Sequence, residues 1–153
     1  MLESALIDTG RLYSRRFHER YRQLDLTHCR TLLALAQNQG ITQSVLARLI
    51  ALDAVALGRI LDHLEADGWS RRRPHPHDRR ASLLVITEKA RRLLPVIQKV
   101  VTELQRDALL GFSAQEQQLL TAALEHMLAN LRLIGPWAGP VAHGWRPIRR
   151  RSL

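Results

Sequence analysis

A single cysteine, Cys29, stands in a chain of 153 residues, so no intramolecular disulfide framework holds the fold, which suits a reducing cytoplasm. Aromatic residues are scarce, at 5%, which leaves apolar burial to leucine, isoleucine, valine and alanine and so favours helices. No apolar run approaches the ~20 residues that a membrane-spanning helix needs. The N-terminus, MLESALIDTG, has no basic leader ahead of an apolar stretch, and no signal peptide is expected. There is no paired acid and base, no glycine-rich phosphate loop and no nucleophile with a base beside it in sequence. Enzyme activity is therefore not expected, and neither is a cofactor. Acids are also few: 14 Asp and Glu face 23 Lys and Arg, for a formal net charge of +9.

That excess points to a polyanionic partner, and its location matters more than its total. Arg71, Arg72, Arg73, Arg79 and Arg80 crowd one short stretch opposed only by Asp78, and Arg146, Arg149, Arg150 and Arg151 cluster at the end. With 46% hydrophobic and 24% charged residues, the rest reads as one compact globular domain.

Helical periodicity is expected from Glu3 to Arg22, where Leu6, Tyr13, Phe17 and Tyr21 form an apolar stripe weakened by Gly10. Arg11, Arg15, Arg16 and Arg20 lie opposite it. Thr27 is the expected N-cap of a helix to Gln39 that Gly40 ends, and Thr42 caps a short helix, Gln43 to Ile50. The break Ala51-Leu52-Asp53 has the length of a helix-turn-helix turn, with Asp53 capping a helix from Ala54 to Asp67 that Gly68 stops. The period then changes. Trp69 to Arg73 and Leu83 to Ile86 read as a hairpin with a basic tip. Thr87-Glu88 starts a long helix toward Leu110, which Pro95 is expected to kink or displace and Gly111 to break. Ser113 and Glu116 form a capping box for a last helix to Ile134. The stretch 135–153, rich in Gly, Pro, Trp and Arg, is expected to be an irregular basic tail.

Helix, short helix, tight turn, helix and basic hairpin, in that order, make a DNA-reading device. The major groove admits one helix, whose outward side and N-terminal half meet base edges. The core side of the Ala54–Asp67 helix is centred on Leu57, Leu61 and Leu64. Opposite lie Val55, Arg59 and Asp62, flanked by Ala54, Gly58 and His63. Arg59 is the expected reader of a guanine, or clamp of a phosphate. Gly58 fits close approach to DNA or tight helix packing equally well. Thr42, Gln43 and Ser44, at the start of the preceding helix, are candidates for backbone contacts. In the hairpin, His77, Asp78, Arg79 and Arg80 form a wing suited to a minor groove, where negative potential is enhanced. Asp78 is expected to pair with Arg80 and hold the loop in shape.

The run from Leu46 to Ala90, with L-D-x-x-A-L-x-R-x-L-D-x-L-E-x-x-G-W, then P-x-x-D-R-R-A and L-x-x-I-T-E-K-A, resembles the winged helix-turn-helix of the MarR/SlyA family. The likeness extends more loosely over roughly 1–134; the tail carries none. Gly58 and His63 depart from residues common in the family, a Thr or Ser and an Arg. The resemblance implies a mainly α fold with a small β-hairpin wing. Residues 27–87 would form the winged core, and 1–22 and 88–134 the dimerisation helices. It implies a homodimeric repressor on a pseudo-palindromic operator in double-stranded DNA, responsive to a small aromatic or phenolic effector. Apolar terminal helices support the dimer independently, since soluble monomers avoid large exposed patches. Tyr13, Phe17, Leu120, Leu124 and Leu128 are the interface candidates. Thiol sensors exist in the family, but Cys29 among apolar helix residues fits a small core filler better. His75, His77 and Asp78 lack a fourth ligand and a rigid frame for a metal. A non-specific architectural DNA-binding protein is the alternative, followed by a protein-docking module.

Overall fold

The structure, a computed structural model, describes residues 1–134; the tail 135–153, with Trp137, Trp145 and the Arg146–Arg151 cluster, lies outside the described residues. The elements are α1 (Leu2–Arg20), α2 (Leu26–Gln37), α3 (Gln43–Ile50), α4 (Ala54–Ala66), β1 (Ser70–Pro74), β2 (Ser82–Ile86), α5 (Glu88–Ala108) and α6 (Ala114–Leu133). The chain divides into two compact units, Met1–Leu110 and the part from Gly111 onward.

In the first unit, α1 runs through Gly10 without interruption. Its stripe lands as the periodicity predicts: Phe17 is fully buried, Tyr21 nearly so, and Tyr13 half-buried against the same core. The rings of Phe17 and Tyr21 lie 6.0 Å apart and tilted. Phe17 is therefore a core residue with no surface to offer a second chain, which corrects its assignment to an interface. The cap of α2 also differs from expectation. The Asp25 carboxylate accepts the His28 amide at 2.8 Å, whereas Thr27 sits inside the helix and its carbonyl accepts the Thr31 hydroxyl. An ionised acceptor at the helix start satisfies an orphan amide and complements the helix dipole, so the chain turns into helix two residues earlier.

Helices α3 and α4 are joined through Ala51, which closes α3 in the left-handed region at φ 55°. The Leu52 amide then reaches back to the Ala47 carbonyl, and the Asp53 carboxylate caps α4 at the Ala56 amide. Leu46, Leu57, Leu61 and Leu64 turn inward to meet Leu32 and Leu35 of α2. Gly68, at φ 75°, lets the chain leave α4 for β1.

β1 and β2 pair antiparallel, from Ser70 opposite Ile86 to Pro74 opposite Ser82. Ile41, between α2 and α3, adds a single bridge to Leu84, which exchanges hydrogen bonds at 2.8 Å with Gly40 and Ile41. This ties the wing to the helix-turn-helix, and no alternation in the sequence announced it. Thr87 caps α5 and donates its hydroxyl to the Gly68 carbonyl, while Lys89 reaches the Asp67 carbonyl and lies over the Trp69 ring. Helix α5 neither starts late nor stops at Pro95. That residue and Arg91, whose carbonyl it leaves without a donor, are both exposed, so water can take the amide's place. Arg20 pairs with Asp107 at 2.8 Å and joins α1 to α5.

In the second unit, Ser113 and Glu116 form the expected capping box, and the Ser113 amide and hydroxyl hold the Glu116 carboxyl below its ordinary pKa. Helix α6 has no buried residue. Leu120, Leu124 and Leu128, one turn apart in succession, are 38%, 43% and 38% exposed.

Candidate nucleic-acid interface

Three starting points converge on one side of the first unit. The Gln43 side chain, at the beginning of α3, donates to the Ala54 carbonyl at the beginning of α4, 3.0 Å away. Gln43 also lines an open cleft of about 290 Å³, together with Thr42, Ser44, Arg72, Arg80 and Ser82. The α3 start and the wing therefore share the cleft, and Gln43 ties the α4 start to it. The Thr42 and Ser44 hydroxyls lie 3.1 Å apart, and neither caps the α3 amides. The helix start thus has no side-chain cap and lies beside a cleft lined by Arg80, which has no ion pair among the described residues, a setting that favours an anion.

Along α4, the residues grouped together by periodicity separate by role. Val55 is 68% exposed, and Ala54 and Arg59 are exposed; Arg59 has no ion pair among the described residues. Gly58 makes room for a neighbour. A Cβ there would meet the Gln43 side-chain nitrogen at 3.2 Å, a contact that the packing reading accounts for.

Asp62 and His63 are exposed as well, but each is held by a neighbouring element. The Arg72 guanidinium, arriving from β1, takes Asp62 at 2.8 Å and also pairs closely with Glu65, while the Arg72 backbone amide donates to Glu65. Burial works against the charge on Arg72, but Asp62 and Glu65 outweigh it and raise its pKa. His63 stacks on His28 of α2, with ring centroids 5.9 Å apart and 12° between planes. A helical projection puts both residues opposite the leucines because it knows only angles; here β1 and α2 reach round to claim them.

The brace through Arg72 is the functional feature that the sequence reading missed. Its signal was present. Arg72 alternates with Arg71 and Arg73 across the strand, so one of the three must face the other way. Asp62 and Glu65 sit at i, i+3 on the helix just before it.

In the wing, Asp78 holds the loop through the Arg80 backbone amide, at 2.9 Å, and not through its guanidinium. The Ala81 amide donates to the Asp78 carbonyl, and His77 donates its amide to the His75 ring. The acid shapes the turn without consuming the charge beside it, so Arg79 and Arg80 have no ion pair among the described residues. Cys29 is fully buried, and burial, with Asp25 nearby, pushes its thiol up to about 12. It stays protonated and packs as a small apolar group. Among the described residues no group of three or more His, Cys, Asp or Glu is placed to hold a metal, and no helix is long and apolar enough to cross a membrane.

Known proteins share this arrangement. The MarR family model matches residues 22–81. In sequence the chain is similar to an HTH-type transcriptional regulator, YybA, of Bacillus subtilis (strain 168), at 27% identity over 113 residues, covering 72% of this chain and 75% of the relative. In structure it is similar to the transcriptional regulator SlyA, with a TM-score of 0.76 and 25% identity over 85% of this chain and 92% of that one. A probable transcriptional regulator from Pseudomonas aeruginosa gives a TM-score of 0.76 and 26% identity over 83% and 96%. A mutant MarR from E. coli complexed with operator DNA, 23% identical, has the same fold at a TM-score of 0.72 over 85% and 92%. The MarR family model thus spans the helix-turn-helix and most of the wing, and the fold is shared beyond it with solved transcriptional regulators, so the chain carries a MarR-type winged helix-turn-helix over residues 22–81.

Proposed function

We propose that the protein is a sequence-specific repressor that binds a pseudo-palindromic operator in double-stranded DNA as a homodimer. The observation that carries this is the convergence of the α3 start, the α4 start and the wing on one side, each with unclaimed donors or cations. Helix α4 enters the major groove by its N-terminal half, led by Ala54, Val55 and Arg59. The Thr42–Ser44 turn meets a backbone phosphate, and Arg79 and Arg80 of the wing, held by Asp78 and flanked by His77, enter the adjacent minor groove. Asp62 and His63 position α4 from behind and do not touch bases. A mutant MarR of the same fold was solved in complex with operator DNA, which supports DNA as the partner.

The uncovered leucine stripe of α6 supports the homodimer, and Tyr13, half-buried in the first unit, is the other interface residue proposed. Two recognition helices about 34 Å apart along the duplex would meet successive major grooves, and occupancy of a promoter excludes polymerase. The family likeness extends the reading to a small aromatic or phenolic effector that binds the wrongly spaced dimer more tightly, as differential affinity requires. The protein acts by binding, in the cytoplasm, and no catalytic step is assigned.

Gel shifts on the DNA upstream of its own gene, with random duplex as competitor, test the reading. Arg80→Ala is expected to weaken binding at every sequence and to flatten the salt dependence, since each phosphate neutralised adds roughly −0.9 to the slope of log K against log salt. Arg59→Ala is expected to blur sequence preference as well. A specificity ratio near one with a steep salt slope would replace this function with non-specific architectural binding.

A further inference from the structure

The operator's chemistry can be read one step further, on the strength of the DNA-binding function proposed above. Five kinds of side chain on or beside α4 have base-reading chemistry in a major groove, and three of them are already engaged. A cytosine amino group calls for a carboxylate, but Asp62 and Glu65 are both claimed by Arg72. Adenine's paired donor and acceptor call for both ends of an amide, but the Gln43 amide nitrogen is turned inward onto the Ala54 carbonyl. The imidazole of His63 is stacked against His28. What remains is Val55, the most exposed large apolar residue of the helix-turn-helix, and Arg59, exposed and without an ion pair among the described residues, one turn further along.

An isopropyl group has one partner on a major-groove edge, the thymine methyl. A free guanidinium has its best partner in the O6 and N7 of guanine. One turn of helix separates the two by about 6 Å along the axis. We infer that each half-site is read directly at only two positions, a thymine by Val55 and a guanine by Arg59, lying within about three base pairs of each other. The remaining affinity comes from phosphate contacts and from the wing.

The test removes single atoms from the DNA. A site is selected from random duplexes with the full-length protein and then scanned, replacing each thymidine by deoxyuridine and each deoxyguanosine by its 7-deaza analogue. For the unsubstituted protein, one uracil position per half-site is expected to weaken binding about fourfold, the value of one buried methyl. One 7-deazaguanine position should weaken it by roughly 5- to 150-fold, the range for a lost bidentate contact. Val55→Ala should abolish the uracil effect and leave the other, and Arg59→Ala the reverse. Both residues are exposed, so the variants keep the fold, and circular dichroism checks that they do. Interference that persists at those positions in the matching variant would overturn the inference, as would a second strongly interfering thymine or guanine position in the same half-site. Failure to select any site would overturn the function proposed above; a selected site read elsewhere overturns only the assignment of these two residues.

Discussion

Helices α4 and α6 are both rich in leucine, yet α4 buries Leu57, Leu61 and Leu64 while α6 buries no residue at all. The difference separates what the chain can satisfy alone from what it cannot. The apolar side of α4 is covered by α2, α3 and the hairpin, and its exposed side carries an arginine that water and counterions solvate well. The stripe on α6 faces solvent at intervals of one turn and is worth covering. A leucine taken out of water contributes roughly 1.5–3 kcal/mol, and a symmetric interface counts it twice. On the function proposed above, the first region meets a polyanion and the second another copy.

Leu124→Glu is the sharpest way to break this contrast. Losing the leucine from both copies removes roughly 3–6 kcal/mol of association, so the dimer dissociation constant should rise at least ~150-fold. Analytical ultracentrifugation reads the change directly. Operator affinity should fall with it, while the helical circular dichroism signal of the first unit persists. A variant that stays dimeric at micromolar concentration would mean that α6 is not the contact surface.

Leu61→Ala is the matching change on α4. It leaves a cavity in the chain's own core, and melting should show a loss of about 2–5 kcal/mol. Leu120→Ala, on the exposed stripe, should leave the melting of dilute monomer within about 0.5 kcal/mol. Equal losses from the two would erase the distinction between covered and uncovered leucines.

A smaller effect is expected at the join between reading helix and wing. Arg72→Met keeps the apolar stem and removes the guanidinium, leaving Asp62 and Glu65 as unpaired neighbours. Because Asp62 is largely exposed and screened, the global cost should be only about 1 kcal/mol. Hydrogen exchange should nonetheless quicken at the Arg72 amide, which Glu65 also holds. An unchanged exchange rate there would show that the wing is held by the Ile41–Leu84 bridge alone.

The sequence was most legible where a local pattern decides the structure. The bounds of α3, the Asp53 cap, the Thr87 cap and the Ser113–Glu116 box depend on residues within a turn of one another. It was least legible where a distant element arrives. Phe17 shows an apolar stripe needing cover, but only the fold reveals that α2 and α5 supply it. Asp62 and His63 sit at outward angles until β1 and α2 approach. The single bridge at Ile41 has no period to betray it. At the α2 start, Thr27 was the expected cap, and the Asp25 carboxylate two residues earlier takes the role instead.

The smallest effect concerns the turn on which the comparison hinges, since α4 can face outward only if Ala51 adopts its left-handed conformation at φ 55°. An alanine there strains against its own Cβ by about 1–2 kcal/mol, while a glycine would give up some of that gain to its freer unfolded chain. Ala51→Gly should therefore stabilise the protein by about 0.5–1 kcal/mol and leave operator affinity unchanged, as melting and gel shifts together would show. Gly58→Ala makes an instructive partner. Helix propensity alone favours it by about 1 kcal/mol, but the new methyl group would press on the Gln43 amide at 3.2 Å. If it destabilises while Ala51→Gly stabilises, the two glycine-related positions of this motif are governed by opposite constraints: backbone strain in the turn, and side-chain room on the helix.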